Sequence, residues 1–255
     1  MRVHVVSDVH GNAEGLARAG EGADALVCLG DFVLFLDYHD AGNGIFAKLF
    51  GAAAADKLVE LRTARRFDEA RDWSRSLWAS LDEEPKVVIE REIRSQYAEM
   101  FAVLPDPTYL TYGNVDVPHL WPDHLPVHAT VLDGQTTQIG GRTWGFVGGG
   151  LRTPMRTPYE IDDDVYAEKV AAVGAVDVLA CHIPPDVPDL LYDVEARRFE
   201  RGSSAVLDAI RDTQPALVLF GHVHQPLGQR TRIGRTECVN VGHFAGTGTP
   251  YVVEY

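Results

Sequence analysis

Cysteine is scarce, with three in 255 residues, and cations are outnumbered, 23 Lys and Arg standing against 37 Asp and Glu. Cys28, Cys181 and Cys238 are an odd set in or beside apolar runs, which argues against a disulfide framework and fits reduced, buried thiols. There is also no Cys pair of the kind that builds a structural zinc site. The net charge of −14 repels phosphate backbones and anionic lipid, so nucleic acid is disfavoured and a phosphate-bearing partner needs a local cationic site. No apolar run approaches the ~18 residues of a membrane span. The opening MRVHVVSDVHGN meets charge too early to read as a signal peptide. These lacks predict a soluble, cytoplasmic protein with no membrane partner.

What is present is ordinary globular composition, 45% hydrophobic and 24% charged, in a chain long enough for one large α/β domain or a domain with an insertion. Short β-rich runs dominate both ends: Val3–Val6, Ala25–Leu29, Thr108–Thr111, Val127–Leu132, Trp144–Val147, Val176–Ala180, Ala216–Phe220, Glu237–Val241 and Tyr251–Glu254. Helices are expected over Ala13–Ala19 and Ser203–Asp212, the second capped by serine. Close succession of strands between Thr130 and Gly148 predicts that part of the sheet is antiparallel. Residues 40–104 differ, being rich in Ala, Arg and Glu, with Val87–Ile89 their one strand-like run. Ile89, Ile93, Tyr97, Met100 or Phe101 and Leu104 recur at helical spacing there. The expected organisation is a main domain of residues 1–39 and 105–255, interrupted by a helical insertion, a cap, at 40–104. Its arginines, Arg62, Arg65, Arg66, Arg71, Arg75, Arg91 and Arg94, alternate with acids and read as a solvated face.

Five polar clusters follow apolar runs in order: Asp8-Val9-His10, Gly30-Asp31, Gly113-Asn114, His182 and Gly221-His222-Val223-His224. Strand ends are where α/β sheets build their sites. Asp8 and His10 are two residues apart, so at a strand terminus both project to one side, and His222 with His224 repeats that spacing. Carboxylate, imidazole and amide-carbonyl groups together suit first-row divalent ions. The glycines read locally as turn residues that set a ligand immediately after them.

The ordered blocks D-x-H, G-D, G-N, H and G-H-x-H resemble those of the calcineurin-like metallophosphoesterase superfamily, over residues 1–39 and roughly 105–245. The stretches Ser7–Asn12, His182–Pro185 and Gly221–Pro226 are similar to its small prokaryotic members, and Val239-Asn240-Val241-Gly242 resembles their N-P-G turn. The resemblance implies a mixed β-sheet sandwich flanked by helices in four αββα layers. It also implies Asp8, His10, Asp31 and His224 around one metal ion, and Asp31, Asn114, His182 and His222 around another, with Asp31 bridging. Asp31, Asn114 and His182 become catalytic by the same implication. The cofactors would be two divalent transition-metal ions, Mn²⁺ or Fe²⁺/Fe³⁺ ahead of Zn²⁺ or Ni²⁺. A metal-bridging hydroxide would attack a small phosphoester, a phosphodiester in preference to a phosphomonoester.

Many members carry a proton-donating His after the Asn of the G-N block, where this chain has Val115 and then Asp116. His243, after Gly242, is the candidate substitute donor. A non-catalytic protein-interaction scaffold on the same fold is the competing function, but none of the seven ligand positions is lost. A nuclease ranks lower, because no basic stripe with interleaved aromatics occurs outside the insertion.

Overall fold

The β-branched run RVHVV forms the first strand, β1 (Arg2–Val6), and Asn12 then caps α1 (Ala13–Ala19) by accepting the Gly15 N–H at 2.8 Å. Next come β2 (Ala25–Cys28) and four helices, α2 (Gly44–Phe50), α3 (Ala52–Thr63), α4 (Phe67–Trp78) and α5 (Pro85–Phe101). The chain continues through β3 (Thr108–Leu110), β4 (Ala129–Val131), β5 (Gln135–Ile139), β6 (Arg142–Val147), β7 (Gly150–Leu151), β8 (Glu160–Ile161) and α6 (Asp163–Val173). After them lie β9 (Val178–Cys181), α7 (Pro188–Leu191), β10 (Tyr192–Asp193), β11 (Arg198–Phe199) and α8 (Ser204–Thr213). The last elements are β12 (Leu217–Phe220), β13 (Arg230–Ile233), β14 (Thr236–Asn240), α9 (Phe244–Thr247) and β15 (Tyr251–Glu254). This computed structural model describes residues 1–255.

Two units divide the chain, and the larger, Met1–Phe32 with Met100–Tyr255, holds two sheets. The first runs β15-β1-β2-β3-β4 and the second β13-β14-β12-β9-β6-β5. Each has a parallel centre, with antiparallel pairing at β15, β13 and β5. Val3, Val5, Ala25 and Val27 of the first sheet share one buried core with Trp144, Phe146, Val178, Ala180, Leu219 and Val239 of the second. The other face of the second sheet, with Leu179, Val218 and Cys238, buries Tyr166, Val170 and Val173 of α6 and Val206 and Ile210 of α8. His4, pointing to the opposite side of β1 from Val3 and Val5, bonds through Nδ1 to the Ala19 carbonyl of α1 at 2.7 Å. This is the mixed-sheet sandwich with flanking helices that the motifs implied.

Register decides where the site forms. Val6, Cys28 and Leu110 are aligned across β1, β2 and β3, so the segments carrying Asp8, Asp31 and Asn114 leave the sheet at one end. Val147 aligns with Cys181, and Phe220 with Asn240, which does the same for His182 and the His222–His224 segment. The Asp8 loop then runs beside the Asp31 loop: the N–H groups of Asp8, His10 and Gly11 donate to the carbonyls of Gly30, Asp31 and Phe32.

The second unit, Val33–Glu99, is helical. Its core gathers Leu36, Phe46, Ala47, Ala55, Leu58, Leu61 and Ala70, with Phe35, Phe50, Trp73 and Trp78 packed against it. Arg66, Arg71 and Arg75 pair at i,i+3 spacing with Glu69, Asp68 and Asp72, and Arg91 pairs with Glu83, as expected of a solvated face. Val87–Ile89, strand-like in isolation, lies within α5, where Val88, Ile93, Tyr97 and Met100 are buried at helical spacing. Burial along one stripe outweighs the β preference of three residues. Conversely β5, QTTQI, is a strand without an apolar run, because it is an edge with one partner and exposes most of its side chains. No helix is long and apolar enough to cross a membrane.

Candidate metal centre

The seven expected ligands meet at the common end of the two sheets, and His243 joins them. Their donor atoms form three clusters, Asp8-His10-Asp31, Asp31-His182-His222 and His10-His224-His243, within each of which they lie within 4.8 Å of one another. Asp31 belongs to two of them. Four of the seven, Asp8 (φ 57°), His10 (φ 39°), Asp31 (φ 58°) and His222 (φ 68°), adopt left-handed backbone, a strained conformation that concentrates at functional sites.

Glycine permits this crowding by steric absence as well as by turning. Gly30 has φ 99°, and a Cβ on it would overlap the backbone of Gly113. A Cβ on Gly221 would overlap the side chains of Ser7 and Asp8. Sequence alone reads these glycines as turn residues; the structure adds that the ligand loops touch through them.

Each side chain has a defined setting. Asp8 is buried; its Oδ2 accepts the His222 N–H at 2.9 Å. Its Oδ1 has no hydrogen-bond partner, the nearest imidazole nitrogens being His224 Nε2 at 3.4 Å and His10 Nε2 at 3.9 Å. His10 and His224 face each other, Nε2 to Nε2, at 3.3 Å. Asp31 accepts the Val115 N–H at 2.9 Å and lies 3.4 Å from His182 Nε2. Asn114 Oδ1 lies 3.0 Å from His182 Nε2 and 2.9 Å from His222 Nδ1. His182 Nδ1 lies 2.9 Å from the Leu29 carbonyl, which can only accept, so Nδ1 carries a proton and Nε2 is the nitrogen that faces the cluster. The His243 ring stacks on His224, with centroids 3.9 Å apart and planes 3° from parallel.

Burial opposes charge on both carboxylates, yet the neighbouring imidazoles win. The adjacent His224 ring and the fields of His182 and His10 hold Asp8 well below the ordinary carboxylate range, and His182 with His10 lowers Asp31. Burial would lower His182, but Asp31, Asp8 and Asp116 raise it to about 9. His222 is lowered by burial and by His182. Two ionised, buried carboxylates thus draw on imidazolium for their balancing charge, which is a demand for cations.

This donor set fits two divalent ions. Ligand bonds of ~2.1 Å at right angles place neighbouring donors ~3 Å apart, close to the spacings of 2.9, 3.0, 3.3 and 3.4 Å here. The partnerless, buried Asp8 Oδ1 is the atom such an ion would satisfy.

Although Asn240 stands in the N-P-G-like turn, two supporting residues have roles that the sequence reading of the site does not assign. Asp116, noted there only as the residue after Val115, is fully buried and accepts three backbone N–H groups of the ligand loops. Asn240 donates to the carbonyls of Gly221 and Val223 and accepts the Gly242 N–H at 2.8 Å, pinning the His222–His224 segment to the end of β14. An acid two places after Asn114 and an Asn two before Gly242 were the available signals.

A sequence model described as calcineurin-like phosphoesterase matches residues 1–226. No curated protein matches the chain. Among solved structures, TT1561 of Thermus thermophilus is similar over 99% of this chain and 98% of that one, with a TM-score of 0.52 and 14% sequence identity, a likeness of fold.

Proposed function

The chain belongs to the calcineurin-like phosphoesterase family, and from that premise we propose that it hydrolyses small phosphodiesters, and phosphomonoesters less readily, at a dinuclear metal centre. Asp8, His10, Asp31 and His224 would hold one ion, Asp31, Asn114, His182 and His222 the other. The observation that carries this reading is the buried Asp8 Oδ1, without a hydrogen-bond partner in the midst of converging imidazole nitrogens. Manganese or iron suits the mixed oxygen and nitrogen donors, with zinc or nickel also compatible. When bound, such ions polarise phosphoryl oxygens and lower the pKa of the attacking water.

The protein's own groups do the rest. Asp31, shared by two donor clusters, supplies the negative charge that lets two cations sit side by side. The Leu29 carbonyl fixes the His182 tautomer, and Asp8 Oδ2 holds the His222 backbone. Val115 has no proton to give a leaving group. The proposed donor is His243, whose ring stacks parallel on His224 with centroids 3.9 Å apart and so stands beside the ligand cluster. A cytoplasmic setting fits Cys28, Cys181 and Cys238, all free and buried, with thiols pushed up by burial.

Assay of the Mn²⁺-loaded protein on paired aryl diester, alkyl diester and aryl monoester substrates tests the reading. The aryl diester should turn over fastest. Inactivity on all three, or a preference for the monoester, would contradict it.

A further inference from the structure

Asn114 is the one expected ligand whose competence depends on which way a symmetric-looking group is turned. Its amide offers an oxygen that can bind a cation and a nitrogen that cannot, and the two exchange places by a half-turn about χ2. Three contacts lock the residue. Its carbonyl accepts the Tyr159 N–H at 2.8 Å, and Gly150 packs against its Cβ so closely that a Cβ there would come to 2.7 Å. Its Nδ2 donates to Thr157 Oγ1 at 3.0 Å. Of these three contacts, which lie outside the histidine cluster, the third alone discriminates between the two orientations.

A hydroxyl can donate or accept, so Thr157 would select nothing if its proton were free. It is not free. Thr157 Oγ1–H donates to Glu160 Oε1 at 2.9 Å. Glu160 is held in turn by the Thr153 hydroxyl and N–H, each at 2.7 Å. With its proton committed to a carboxylate, Thr157 presents a lone pair to Asn114, and only the amide N–H₂ can meet it. Oδ1 must then face His182 Nε2 and His222 Nδ1.

We propose that Thr157, polarised by Glu160, is a positioning residue that turns the Asn114 oxygen toward the ion shared by Asp31, His182 and His222. The proposal rests on the dinuclear reading above. Thr157 lies 43 residues from Asn114, in the segment between the short strands β7 and β8, so the same segment that packs Gly150 on Asn114 also sets its amide. Loss of a group that orients a ligand typically costs ~10–100-fold in metal affinity.

The test titrates Mn²⁺ into wild type, Thr157→Val, Thr157→Ser and Glu160→Ala, with ions counted by elemental analysis and folding checked by thermal melting. Alongside it, ¹⁵N spectra of the metal-free proteins follow the Asn114 side-chain amide pair. Wild type and Thr157→Ser should bind two ions and show the same amide signals. Thr157→Val should lose roughly 10–100-fold at one ion and keep the other, with a shifted or averaged amide pair. Glu160→Ala should weaken the same ion, and it serves if Thr157→Val does not fold. Two ions bound by Thr157→Val at wild-type affinity, or equal losses in Val and Ser, would overturn the proposal while leaving the dinuclear reading intact. Failure of wild type to bind Mn²⁺ would overturn that reading instead, and the amide spectra would still show whether Thr157 sets the Asn114 orientation.

Discussion

Asp116 holds Asp31 by its backbone: one carboxylate oxygen accepts the Asp31 and Gly113 N–H groups, each at 2.8 Å, and the other accepts the Phe32 N–H at 3.0 Å. Asp31 therefore sits on a loop fixed from the Asn114 side of the site. Burial and the nearby Asp31 raise the Asp116 carboxyl to about 7, so the clamp is built against an electrostatic cost.

Removing that clamp should cost more than a surface charge change. Asp116→Ala leaves three buried N–H groups without this acceptor, and each such loss is worth about 1–3 kcal/mol. Urea unfolding should show a fall of at least that size, with Asp116→Asn, which keeps one oxygen, in between. An unfolding midpoint unchanged from wild type would show that the loop holds without Asp116.

Two glycines with left-handed backbone separate strain from close approach. Gly248 has φ 60° and ψ 12° with nothing within 4 Å of an added Cβ, whereas a Cβ on Gly30 would overlap Gly113. Gly248→Ala should cost only the left-handed penalty of about 1–2 kcal/mol. Gly30→Ala should cost distinctly more and reduce Mn²⁺ binding, because the Asp31 and Asn114 loops must part. Equal melting temperatures for the two variants would refute the account of that contact.

Leaving-group chemistry is tested at His243, the proposed proton donor. General-acid help is worth ~10²–10⁴-fold and matters most for poor leaving groups. His243→Ala should lose far more rate on alkyl than on aryl diesters, and Val115→His should recover part of the alkyl rate in that background. An equal loss on both substrate types would remove His243 from the proton-donor role.

Which residues meet was largely legible through the resemblance that the five ordered blocks carry, while the apolar runs by themselves showed only that each block ends a strand. The register of β1, β2 and β3, which brings those ends together, was not readable from the runs. Less legible was everything that depends on distant segments touching. Thr157 and Glu160 carry no local signature of their contact with Asn114, and Asp116 looks like one more acid in a chain rich in them. β5 could not be read from hydrophobicity because an edge strand needs no apolar face on both sides, whereas the stripe from Ile89 to Leu104 was enough to read a helix through the strand-like Val87–Ile89. The short pairs β7 with β8 and β10 with β11 are too brief to leave any period at all.

The central claim is that Asp31 joins two ion sites into one centre, and anaerobic reconstitution with Mn²⁺ followed by elemental analysis tests it most directly. Wild type should approach two ions per chain, and Asp31→Asn should weaken both sites together, since it removes the negative charge they share. Stoichiometry near zero in wild type, or an Asp31→Asn protein that keeps one ion at full affinity, would contradict the account.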